Sequence, residues 1–222
     1  METKNLKTEM ILDTKSKYDF FVKVVVVGDI KVGKTSILKK ITQNEFIEDY
    51  TPTLGYEFNP YLVKVNDIIL KLQIWDMCGN ENYRSVLLNL YRNASLGILV
   101  YSVTSRESFN NLEKWITELK KYAFPGSKII LLGNKCDDEE HREVSYEEGK
   151  EICEKNNLEF FLEVSAKNGF KSPNFLELAA ISLYKDYELH KEDSVNSTTL
   201  NNVDESIMLN ADNSKSNVTK CC

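Results

Sequence analysis

The chain has 222 residues, 42% hydrophobic and 28% charged, which suits one well-cored domain with extensions. Its formal charge of −6 argues against a protein that grips DNA or RNA by neutralising phosphates, so no nucleic-acid partner is expected. The five cysteines form no paired zinc or disulfide framework, no stretch approaches the ~18 apolar residues that span a bilayer, and the first twenty residues carry charges where a signal peptide needs an apolar run. A reducing, cytosolic setting is expected.

In chain order, residues 1–19 are polar apart from Met10-Ile11-Leu12 and are expected to form a flexible N-terminal arm. Residues 20–27 are a β-branched run ending at Gly28, the mark of a strand buried on both faces, and a helix is expected from about Lys34. Residues 58–65 and 68–75 alternate apolar and polar side chains across Asn66-Asp67, which predicts an antiparallel hairpin. Short apolar strands at 97–103, 128–133 and 159–164 then alternate with helical stretches at 107–122, 146–156 and 173–187. That alternation predicts an α/β domain over 20–187, a mostly parallel six-stranded sheet covered on both faces by about five helices. From residue 188 to 222 Asn, Ser, Thr and acidic residues dominate, too polar to offset chain entropy, so a flexible C-terminal tail is expected.

The motifs fall just after predicted strands, where ligands bind in such sheets. Gly28-Asp29-Ile30-Lys31-Val32-Gly33-Lys34-Thr35-Ser36 contains the spacing G-x-x-x-x-G-K-[ST] between a strand and a helix. Its glycines let backbone N–H groups wrap phosphates, Lys34 adds a full charge at the β- and γ-phosphates, and the Thr35 hydroxyl can bind Mg²⁺. Asn134-Lys135-Cys136-Asp137 follows a later strand. A carboxylate there accepts from the N1–H and 2-amino group of guanine, a donor pair adenine lacks. At Asp76-Met77-Cys78-Gly79, Asp76 is placed to hold the metal through water and the Gly79 N–H to meet the γ-phosphate. Ser165-Ala166-Lys167 follows the last strand and is expected to brace the base through backbone N–H groups.

These residues resemble the Ras superfamily of small GTPases, most closely its Rab branch, over about 20–187. The Rab-like stretches are Leu54-Gly55-Tyr56-Glu57-Phe58, Lys71-Leu72-Gln73-Ile74-Trp75 and Ser108-Phe109-Asn110-Asn111-Leu112. The resemblance implies a three-layer, Ras-like P-loop GTPase fold that binds GTP or GDP with Mg²⁺. It makes Thr53 the residue that joins Thr35 and Asp76 at the metal in the GTP state, and sets Phe46 and Lys135 on the two faces of the guanine. It also implies two switch segments, roughly 44–58 and 77–93, that effectors read. Of three aromatic effector contacts, Phe58 and Trp75 are kept and Leu90 replaces the usual Tyr. The terminal Cys221-Cys222 resembles a double geranylgeranylation signal, and the tail has no polybasic patch to substitute for lipid. The implied partners are an exchange factor, a GTPase-activating protein, effectors, a prenylation escort protein and a GDP-dissociation inhibitor. The implied location is the cytoplasmic face of an intracellular or plasma membrane, in exchange with cytosol.

Two departures from the family pattern bear on chemistry. Asn80 stands where the family's Gln orients the attacking water, and Ile30 where it has Gly or Ser. Both predict slow intrinsic hydrolysis, with a largely GTP-locked binding module as the alternative.

Overall fold

The computed structural model describes residues 6–13, 15–48, 52–79, 84–170 and 174–196. The strands are β1 (Thr8–Ile11), β2 (Phe20–Val27), β3 (Tyr56–Val65), β4 (Ile68–Met77), β5 (Leu96–Ser102), β6 (Lys128–Asn134) and β7 (Phe160–Val164). The helices are α1 (Lys34–Gln43), α2 (Arg84–Tyr91), α3 (Arg106–Asn110), α4 (Leu112–Tyr122), α5 (Tyr146–Lys155) and α6 (Phe175–Asn196). The seven strands form one sheet in the order β1-β3-β4-β2-β5-β6-β7. Pairing is parallel from β4 through β7 and antiparallel for β3 with β4 and β1 with β3.

The run of valines in β2 shows why the sheet is covered on both sides. Alternate side chains of a strand point to opposite faces. Val24 and Val26 join a core with Ile37 and Leu38 of α1 and Ala179 and Ala180 of α6. Val25 and Val27 join a second core with Trp115, Ile116 and Leu119 of α4 and Cys153 of α5. The β3–β4 hairpin turns at Asn66-Asp67 as its alternation predicts, with Asn66 at φ 54°, a left-handed conformation that Asn tolerates. No helix of the described residues is long and apolar enough to cross a membrane.

Three boundaries differ from the sequence reading. The sheet has a seventh strand because part of the N-terminal arm docks: β1 pairs with β3 from Thr8 opposite Val65 to Ile11 opposite Leu62. Leu6 and Met10 pack on the core, and the Thr8 hydroxyl donates to the buried Glu177 of α6 at 2.9 Å. The partners of β1 lie far along the chain, so local polarity does not announce them. The helix expected over 107–122 is two helices broken at Asn111. Ser105 caps the first by accepting from Ser108 N–H. Finally α6 runs beyond residue 187 into the expected tail, aided by Tyr184, whose hydroxyl donates to Glu188 one turn on at 2.5 Å.

Candidate functional site

A cleft of about 850 Å³ opens at the carboxyl ends of the parallel strands, lined by the loops after β2, β4, β6 and β7 and by residues 45–48 and 52–54. Between β2 and α1 the chain wraps into a cradle. Gly33, at φ 94°, is the last residue before α1, and a Cβ there would lie 2.2 Å from Asn134 Nδ2, so the turn admits only glycine. Among the described residues no side chain caps the N-terminus of α1, and its first turn holds no acidic residue, which leaves its N–H groups to an anion. Ile30, Lys31, Gly33, Lys34, Thr35 and Ser36 line this end of the cleft. The Lys34 ammonium is buried and donates to Gly28 O at 2.9 Å and Asp29 O at 2.7 Å. Burial lowers its pKa to about 8, against the opposing pull of Asp76, Asp29 and Cys78.

An oxygen cluster stands beside the cradle. The Thr35 hydroxyl donates to Asp76 Oδ2 at 2.5 Å and lies 2.7 Å from Thr53 Oγ1. Asp76 is fully buried, and its Oδ1 has no hydrogen-bond partner among the described residues. Burial raises its carboxyl to about 6, although the Thr35 hydrogen bond and the Lys34 charge pull the other way. An orphaned carboxylate oxygen beside two hydroxyls is a hard donor set that fits Mg²⁺, which takes one or two carboxylates and leaves its other positions to water and phosphate. Gly79 closes this side against the cradle: a Cβ on it would sit 2.4 Å from the Asp29–Ile30 peptide.

Opposite the phosphate end stand Phe46, Asn134, Lys135, Asp137, Ala166 and Lys167. Lys135, at φ 66°, takes the tight turn after β6, and Asp137 is exposed at the cleft. Asn134 is buried and joins three loops. Its Nδ2 donates to Val32 O at 2.8 Å, and its Oδ1 accepts from Ala166 N–H at 3.2 Å. The Ala166 N–H assigned to the base from sequence is thus engaged by Asn134. Ser165 sits behind the cleft, where its hydroxyl accepts from Asn168 N–H at 2.9 Å and holds the turn. Asp29 and Val32 likewise act from behind the cradle, Val32 through its carbonyl and Asp29 through bonds to α4 and its approach. Arg142, unremarked in the sequence, bridges Glu139 beside the Asp137 loop and Glu163 of β7, 2.7 Å from each. It ties together the two loops that flank the base end.

A cradle for phosphates, a hard-cation site and a pocket with a carboxylate at its far end are what a guanine nucleotide with its metal requires. The pattern of the Ras family matches residues 23–184. The chain belongs to the Ras family. It is 41% identical over 157 residues to Ras-related protein Rab-11B of Dictyostelium discoideum, an alignment covering 71% of this chain and 70% of that protein. It is 43% identical over 154 residues to Ras-related protein Rab11A of Lotus japonicus (69% and 68%) and 40% identical over 152 to Ras-related protein RIC1 of rice, Oryza sativa subsp. japonica (68% and 75%). Within the Ras family it is a GTPase of the Rab branch, binding guanine nucleotide and cleaving GTP to GDP and phosphate.

Of this Ras-family site, Asn80, and likewise the terminal Cys221 and Cys222, lie outside the described residues. Leu54 at the cleft and Tyr56 and Phe58 of β3 are exposed, and Phe58 meets Trp75 edge to face at 5.2 Å. Leu90 leans partly into the second core.

Proposed function

We propose that the chain is a membrane-attached switch for vesicle traffic that holds GTP with Mg²⁺ and hydrolyses it slowly when unassisted. The observation that carries the slow rate is Ile30, 48% exposed in the wall of the cleft's phosphate end, where its branched side chain crowds the γ-phosphate and any arginine entering from a partner. Asn80 acts in the same direction. Catalysis of phosphoryl transfer is mostly positioning, and an amide carried on a side chain one methylene short holds the attacking water away from its line. Thr35, Thr53 and Asp76 would hold Mg²⁺, whose charge offsets that developing on the phosphate oxygens. Lys34 and the N-terminus of α1 hold the phosphates, and Asp137 reads the base with Phe46 and Lys135 packed on its faces. Gly79 and Thr53 are the residues that engage the γ-phosphate and let go after cleavage, so the surface of exposed Phe58 and partly buried Trp75 reports which nucleotide is bound.

In a single-turnover assay without an activating protein, Asn80→Gln is expected to raise the hydrolysis rate by about 10- to 100-fold. A wild type already as fast as the variant would remove Asn80 from the account. The second reading, a GTP-locked effector-binding module, is favoured by the same Ile30, and predicts that neither Asn80→Gln nor an activating protein restores turnover.

Attachment is assigned to two geranylgeranyl groups on Cys221 and Cys222, because one chain gives only marginal residence on a bilayer. The partners of this cycle are an exchange factor, an activating protein, effectors, a prenylation escort protein and a GDP-dissociation inhibitor. The Cys221→Ser/Cys222→Ser variant is expected to move the tagged protein wholly to cytosol in a fractionation experiment, and retained membrane signal would overturn the lipid assignment.

A further inference from the structure

A carboxylate inside an anion-binding loop opposes the loop's purpose, and Asp29 is such a carboxylate. The structure shows where its charge goes. Asp29 Oδ2 accepts from Asn111 Nδ2 at 2.7 Å, and Asp29 Oδ1 accepts from Trp115 Nε1 at 2.7 Å. Asn111 is the residue at which the helix expected over 107–122 breaks into α3 and α4, and Trp115, 6% exposed, lies one turn further on. The two donors share one face of the helix and point at the same carboxylate. Meanwhile the Asp29 carbonyl takes the Lys34 ammonium, so this residue is held on the helix side by its side chain and on the cleft side by its backbone.

We propose that Asn111 and Trp115 are positioning residues for the phosphate loop: they turn the Asp29 carboxylate away from the phosphates and fix the backbone that carries Ile30 and Gly28. Hydrogen bonds from neutral donors to an ionised acceptor are among the stronger ones in a protein, and a half-buried carboxylate that loses them keeps its charge close to the nucleotide. The contact falls at the junction of α3 and α4, where Asn111 keeps a right-handed helical backbone (φ −78°, ψ −6°) while its amide reaches the loop. The inference concerns how long nucleotide stays bound, not how fast it is cleaved, and is independent of Asn80.

A charge swap tests it. Release of fluorescent GDP from the Mg²⁺-loaded, full-length protein is timed at a temperature where each variant is fully folded. Asn111→Asp sets a second carboxylate against Asp29 and is expected to speed release by roughly 10- to 100-fold. Adding Asp29→Asn restores an acceptor for Trp115 and a donor for the new carboxylate, and is expected to bring release back to within about threefold of wild type. A purely structural lesion would not be repaired by a second substitution in the loop. Unchanged release in the Asn111→Asp protein, or a double variant as fast as the single, overturns the proposal. If Asn111→Asp does not fold, Trp115→Phe keeps a large aromatic ring and removes only one donor; release about tenfold faster supports the proposal, and unchanged release overturns it.

Discussion

Asp137→Asn is expected to lower GTP affinity by about 10⁴-fold and to confer binding of xanthosine triphosphate. In the proposed site the Asp137 carboxylate would offer two acceptors to the N1–H and 2-amino donors of guanine. An asparagine keeps one acceptor but turns the other atom into a donor, which meets the 2-amino group donor to donor. Xanthine carries a 2-oxo group there, so the amide then matches it on both atoms. The penalty is large because the mismatch strands polar groups inside a complex that excludes water. Asp137 is exposed at the cleft and far from the core, so the fold should be unaffected. Titration with both triphosphates checks it. Undiminished GTP affinity would show that another group reads the base.

Lys34→Met is expected to reduce affinity for GDP and GTP by about 10²- to 10³-fold while keeping an unbranched apolar stem in place. Lys34 is buried at the floor of the cradle with its ammonium on the carbonyls of Gly28 and Asp29. Its removal takes the loop's buried ammonium away from the Gly28 and Asp29 carbonyls, and the loss of those hydrogen bonds is opposed by relief of the burial penalty that lowers the Lys34 pKa. Affinity is compared at a temperature where both proteins are fully folded. Equal affinities for variant and wild type would leave the α1 N-terminus and the loop N–H groups as sufficient for the phosphates.

The features legible in the sequence are those written locally. A β-branched run reads as a buried strand because nothing outside its eight residues is needed to see it, and Val24 to Val27 divide between the two cores as that pattern demands. The β3–β4 hairpin, the phosphate loop and the two base-end loops were visible for the same reason: glycines, turn residues and spacing carry the signal within a few positions. What escaped depends on contacts between distant segments. Asn111 lies 82 residues from Asp29, and the helical stretch expected over 107–122 runs straight through it, so no local window shows that its amide meets the loop. Strand β1 looks like a polar arm until the edge of β3 is there to pair with Met10 and Ile11. Asn134 was legible as part of a base-reading string, yet its side chain braces Val32 and Ala166, two loops no local window connects.

The proposed switch seats a guanine nucleotide between Lys34 and Asp137 with Mg²⁺ at Thr35, Thr53 and Asp76. The direct measurement is to purify the full-length protein in Mg²⁺, denature it and identify the nucleotide it releases by chromatography. GDP or GTP is expected at close to one per chain, lost when chelation of Mg²⁺ precedes purification. Adenine nucleotide in its place, or a folded protein that carries none and fails to take up added GDP, would contradict it.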